Sequence, residues 1–162
     1  MAATVVTYIR GDKYVSNIPK SGAAAAHGLV GELLVGGQSY RTIERMDNYM
    51  SMAGSRDYTN STMYWFEKYG SYVINPWLGR EAEKKKYNIL FHPASVPSHL
   101  EGCVGVGCLD ASGVMSEGKA SFTQIWEACG GAIGRKKGQI VITLRVQGEM
   151  KRRSACTAWT AG

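Results

Sequence analysis

Cysteine, histidine and proline are scarce in this chain, at four, three and four copies in 162 residues. The cysteines (Cys103, Cys108, Cys129, Cys156) form no CxxC pair. That argues against zinc-ligand spacing and against a disulfide framework. No metal and no cofactor is expected. No apolar run approaches the ~18 residues that a membrane-crossing helix requires, so stable membrane insertion is not expected either. The opening Met1-Ala2-Ala3-Thr4-Val5-Val6 lacks the basic and continuous apolar segments of a secretory signal. The expectation is a product made in the cytoplasm without a signal peptide, reaching any outside target by release. Acidic residues are in the minority, 13 against 19 Lys and Arg, for a formal charge of +6. A basic balance suits an anionic partner. The runs Lys84-Lys85-Lys86 and Lys151-Arg152-Arg153, however, are not interleaved with aromatics as a single-strand stacking platform would be. Nucleic acid is therefore the least favoured partner.

Hydrophobic residues make up 44% of the chain, enough for a core in one domain of this size. No repeat or linker divides the sequence. The expected organisation is one catalytic-type domain over residues 1–148 and a basic flexible tail over 149–162. β-Branched alternation marks Val5 to Arg10 as a strand. Leu29 to Leu34 and Ser39 to Glu44 read as a hairpin turning at Gly36-Gly37. Residues 46–60 read as a long loop. The aromatic stretch from Met63 to Ile74 reads as strand broken at Gly70. Tyr87 to Phe91, Val104 to Leu109 and Gln139 to Val146 complete the strand set. Helical periodicity occurs once, in Phe122, Ile125, Trp126, Cys129 and Ile133, predicting a helix over about 119–133. The fold class expected is mainly β, a barrel or sandwich, with that one helix.

The chemically informative segment runs from Ile89 to Gly107. A buried strand delivers His92 at its end, Pro93 stops the ladder, and Gly102-Cys103 opens a second apolar strand. A base held near a thiol on rigid elements is what thiolate chemistry needs. The Gly102-Cys103 turn offers backbone N–H groups for an oxyanion. Ser95 and His99 stand in the intervening loop as candidate supporting residues, and Ser95, Glu44 or a backbone carbonyl are the candidates to orient His92. Cys108, Cys129 and Cys156 read as structural.

His92-Pro93, then Glu101-Gly102-Cys103-Val104 and Gly107, resemble a phage- and prophage-borne domain family related to the YkuD-like L,D-transpeptidase catalytic domain. The hairpin around Gly31 to Glu44, the helix start Lys119 to Phe122 and the strand Gln139 to Leu144 extend the resemblance over about residues 5–146. It implies an L,D-transpeptidase-like fold, Cys103 as nucleophile, His92 as base and Gly102 as the glycine of the Gly-Cys turn. It also implies Glu44, Glu101 and Lys119 as substrate-binding candidates. Glu101 and Gly105 stand where transpeptidases carry His and Arg or Asn, and the Pro-x-Gly-x-Tyr turn is not recognisable in 46–62. The resemblance implies action on peptidoglycan peptide stems through a Cys103 thioester, resolved by water in an endolysin-like peptidase or by an amine in transpeptidation. Release through a holin or a secretion machine would bring such an enzyme to the periplasm or wall. The rival expectation is a catalytically idle phage structural or delivery module.

Overall fold

The computed structural model describes residues 2–46, 51–77, 89–100 and 102–159. Strand β1 (Val5–Asn17) pairs antiparallel with β2 (Ala26–Val35), and β2 with β3 (Gln38–Arg45). The β2–β3 turn is Gly36-Gly37, with φ of 54° and 82°, the two positive values that a tight hairpin turn requires. Next in space come β7 (Val104–Leu109), β6 (Phe91–His92), β5 (Ser71–Asn75), β4 (Arg56–Phe66) and β9 (Gln139–Gln147). β9 then pairs with the first half of β1, Val5 opposite Thr143 and Ile9 opposite Gln147. The ring closes, so eight strands among the described residues form a barrel. Closure leaves those strands no open edge along the paired stretches.

The barrel interior is one apolar cluster, including Val6, Leu33, Met63, Ile74, Phe91, Val104, Val106, Ile142 and Leu144. Helix α1 (Gly118–Ala128) adds Phe122, Ile125 and Trp126 to the same cluster, with Trp126 stacked on Tyr72 at 4.4 Å. Two corrections to the sequence expectation follow. The helix ends at Ala128, because Gly130 turns left-handed (φ 95°) and Gly131 lies against the Trp126 ring; Ile133 is 84% exposed. β4 begins at Arg56, inside the stretch read as loop, because its polar residues point outward and a bulge between Tyr58 and Ser61 breaks the alternation.

Strand alternation puts the other side chains of β3 and β7 on the outer face. There Val15, Val30, Ile43, Leu100, Cys103 and Met115 form a second cluster, with Trp159 packed against it. The segment read as a loose tail includes β10 (Thr157–Ala158), which pairs parallel with the second half of β1. The Trp159 indole N–H donates to the Asp110 carbonyl, and the Arg41 guanidinium lies 5.1 Å from its ring. The Lys84–Lys86 run and the first two residues of the expected strand over 87–91 lie outside the described residues; of the other three only Phe91 is in a strand, because the ladder with β5 and β7 begins there. No described helix is long and apolar enough to cross a membrane.

Candidate active site

β6 and β7 run parallel, with His92 opposite Gly105 and Phe91 opposite Val104. Phe91 and Val104 face the barrel interior. His92 and Cys103 therefore share the outer face, with Cys103 two positions along the chain from the residue opposite His92. The expected sharing of one sheet edge arises because β6 is only two residues long. A longer parallel strand would carry the exit of β6 away from the entry of β7.

The loop between them is built onto the barrel wall. Asn17 clasps Ser98 through both its backbone and its side chain, and Arg45 donates to the carbonyls of Pro97 and Leu100. Leu100 is buried, and the Met115 N–H donates to the Ser95 carbonyl, holding β8 (Met115–Ser116) against the loop. Between loop, β8 and the start of α1 lies an open cavity of about 300 Å³. His92, Ser95, His99 and Lys119 line it together with Tyr69, Met115 and Glu117. Four sequence candidates thus meet at one cavity.

His92 is 3% exposed. Its ring stacks on Tyr69 at 4.1 Å, the planes 7° apart. Nδ1 lies 2.8 Å from the Pro93 carbonyl oxygen. A carbonyl only accepts, so Nδ1 carries the proton and Nε2 of the neutral ring carries the lone pair. Burial holds His92 below the ordinary imidazole value; the Pro93 hydrogen bond opposes this and the nearby Lys68 charge adds to it. The lowering favours the neutral ring, held in that tautomer by a backbone carbonyl.

Cys103 is 9% exposed and belongs to the outer apolar cluster. Met115 and Ala94 connect the two places, since both line the cavity and pack with that cluster. Gly102 has a φ of 86°, in the left-handed region that only glycine enters freely. Lys119 also lies against the turn before β5: its Nζ would lie 3.4 Å from a Cβ placed on Gly70. Ser95 and His99 are exposed at the rim.

Glu44 is elsewhere. It points into the barrel, where its carboxylate accepts from the Tyr8 hydroxyl and from Arg10 Nε (2.9 Å) and Nη2 (3.0 Å). Both ionic side chains are fully buried. Alternation explains the placement, since Ile43 faces outward towards Cys103 and Glu44 must then face inward. Glu44 neither reaches the cavity nor orients His92. Glu101 lies outside the described residues. Sequence reading missed Tyr69, Met115 and Glu117. The aromatic run before Gly70 was a signal for Tyr69, whereas nothing local marks Glu117, which adopts a left-handed backbone (φ 59°) as N-cap of α1. Cys129 is buried, and burial pushes its thiol up to about 11; Cys108 is exposed. No group of His, Cys, Asp and Glu with metal-binding geometry occurs among the described residues.

Comparison with protein-family models, with curated proteins and with solved structures finds no match.

Proposed function

We propose that the chain is a cysteine peptidase of the L,D-transpeptidase-related kind, acting on the peptide stems of peptidoglycan. The observation that supports it best is the β6–β7 register, which sets a neutral, carbonyl-oriented His92 on the same face as Cys103 and beside an open cavity. In this reading His92 Nε2 takes the thiol proton and Sγ attacks the scissile carbonyl. The C–N bond then breaks, the amine leaves with the proton from His92, and a thioester remains. Water, deprotonated by the same nitrogen, cleaves the thioester to a carboxylic acid and the free thiol. The N–H groups at Gly102-Cys103 serve the oxyanion. An amine in place of water would give transpeptidation. The net positive charge suits an anionic envelope, reached after release by a holin or a secretion machine. Incubation of the purified chain with muropeptides, followed by mass spectrometry, should show new stem fragments that the Cys103→Ala variant does not produce. Identical digests from both proteins would remove Cys103 from the nucleophile role.

One observation favours the second reading, an idle phage structural module: Cys103 packs among apolar side chains beneath Met115 rather than lining the cavity. Iodoacetamide separates the two. A working nucleophile should alkylate well ahead of the exposed Cys108, whereas an idle one should lag behind it.

A further inference from the structure

Ile133 is the most exposed large apolar side chain among the described residues, at 84%. A lone exposed isoleucine is ordinary on a protein surface, but this one is held out by an anchored turn. The Arg135 N–H donates to the Ala132 carbonyl, closing four residues, and Gly134 at the third position has a φ of 73°. That is the pattern of a type II turn, which sets Ile133 at its corner. Both ends of the turn are tied to the barrel interior. The Trp126 indole N–H donates to the Ala132 carbonyl at 3.0 Å, and the Tyr72 hydroxyl donates to the Arg135 carbonyl at 2.6 Å. Both rings belong to the interior apolar cluster. The backbone on either side of Ile133 is thus fixed while its side chain stands in water.

Arg135, Lys136 and Lys137 follow, all exposed and none in an ion pair among the described residues. Lys136 Nζ lies 4.4 Å from the Trp65 ring centroid. Arg135 and Lys137 line a cavity of about 200 Å³ with Gly130, Gly131, Gly138 and Trp126, and no described carboxylate lines it. Other contacts bring two carboxylates to this side: Glu67 accepts from the Trp65 indole, and the Glu127 charge acts on Tyr72. Neither lines the cavity. We infer that the loop over 132–138 docks on an anionic lipid bilayer, Ile133 entering the interface while Arg135, Lys136 and Lys137 meet lipid phosphates. A free phosphate or a nucleic acid would use the cations and leave Ile133 in water. An anionic bilayer takes both, offering an apolar boundary beside negative headgroups. The contact is peripheral and reversible, since one aliphatic side chain and three cations anchor far less than a spanning helix does. Neither His92 nor Cys103 takes part, so docking stands apart from the peptidase reading.

Co-sedimentation of the whole chain with vesicles tests it. One set holds equal parts phosphatidylcholine and phosphatidylglycerol, the other phosphatidylcholine alone. Each cation near an anionic surface is worth about fivefold, so the anionic set should bind on the order of a hundredfold more tightly, and salt should weaken it. Ile133→Ala should weaken binding by about three- to tenfold through lost apolar contact. The triple variant Arg135→Gln, Lys136→Gln, Lys137→Gln should fall to the level of the neutral vesicles. The exchanged side chains are exposed, so both variants keep the fold. Absence of binding to the anionic vesicles would overturn the inference, and so would failure of either variant to weaken it. Tighter binding to a single-stranded oligonucleotide, unchanged in Ile133→Ala, would reassign the loop to nucleic acid. Full displacement from vesicles by inorganic phosphate at constant ionic strength would reduce it to an ion pocket.

Discussion

Replacing Glu44 by Leu removes the only anion among the described residues that pairs with the Arg10 guanidinium, both side chains being fully buried. The carboxylate accepts three hydrogen bonds, from Tyr8 and twice from Arg10. Arg10 would keep two acceptors, the carbonyls of Met52 at 2.8 Å and Gly148 at 2.9 Å. Those contacts soften the loss but carry no full charge. Stranding one partner of a buried pair costs about 3–5 kcal/mol, and with two carbonyls retained the lower half of that range is expected. Arg10→Leu strands the carboxylate instead, which has only the Tyr8 hydroxyl left, and should cost at least as much. The double variant Arg10→Leu, Glu44→Leu strands no charge and should cost less than the two singles together by about 2 kcal/mol or more. Urea unfolding at pH 7, followed by tryptophan fluorescence, measures all four corners, with the denaturant slope checked for constancy. A loss below about 1 kcal/mol for Glu44→Leu, or simple additivity, would refute the account of Glu44 as a structural counter-charge. At temperatures where Glu44→Leu stays folded, muropeptide cleavage should be that of the unmodified chain, since Glu44 does not line the cavity. Its loss would return Glu44 to the site.

The same interior cluster makes the fold sensitive to alkali. Burial, and then the Glu44 charge, hold the Tyr8 phenol well above its ordinary value. The folded state keeps a proton that the unfolded chain releases near pH 10, so stability is full below that pH and falls as pH rises above it. Tyr8→Phe should flatten this slope in pH-dependent urea melts. For His92 the sign is opposite. Its lowered value keeps the base unprotonated as pH drops through 6.5, so the acid limb of muropeptide cleavage should lie below 6.5; a limb above 6.5 would exclude His92 as the base. Gly118→Ala drives a Cβ into the backbone of the Pro93–Val106 seat and should cost about 1–3 kcal/mol in thermal unfolding. An unchanged melting temperature would show that the helix start is not seated there. Finally, Cys129, whose thiol burial pushes up to about 11, should alkylate at pH 8 after the exposed Cys108 and the half-buried Cys156; early modification would contradict its burial.

Legibility from sequence tracks how local the deciding contact is. The β2–β3 hairpin was readable because Gly36-Gly37 supplies the turn within the strands it joins. The far end of the helix was misplaced because Ile133 continues the apolar spacing, while the deciding event is a glycine packed on Trp126. β4 was half missed because its first five residues, Arg56 to Asn60, are mostly polar and face out around a bulge. Glu44 was drawn towards the site by the family resemblance and as a candidate to orient His92; its partner Arg10 lies in another strand and no local pattern connects them. In the cavity, His92, Ser95, His99 and Lys119 were nameable as chemical types. Their meeting with Tyr69 and Glu117 depends on the β4–β5 turn and the left-handed entry to α1, which long-range packing sets.

The division of β1 between two parallel neighbours bears on how the chain reaches this state. Its first half is held by β9 and its second by β10, so the ring joins residues near 5 to residues near 145. Contacts across that sequence distance form slowly, because most of the chain must be ordered before they contribute. During synthesis β1 and β2 can pair early, but the wall has no seam partner until β9 has left the ribosome. Until then the strand carrying Tyr8 and Arg10 has an open edge, and the interior that will enclose Glu44 stays wet. Folding of this barrel is thus a late event, and substitutions in β9 should act first on the yield of folded chain.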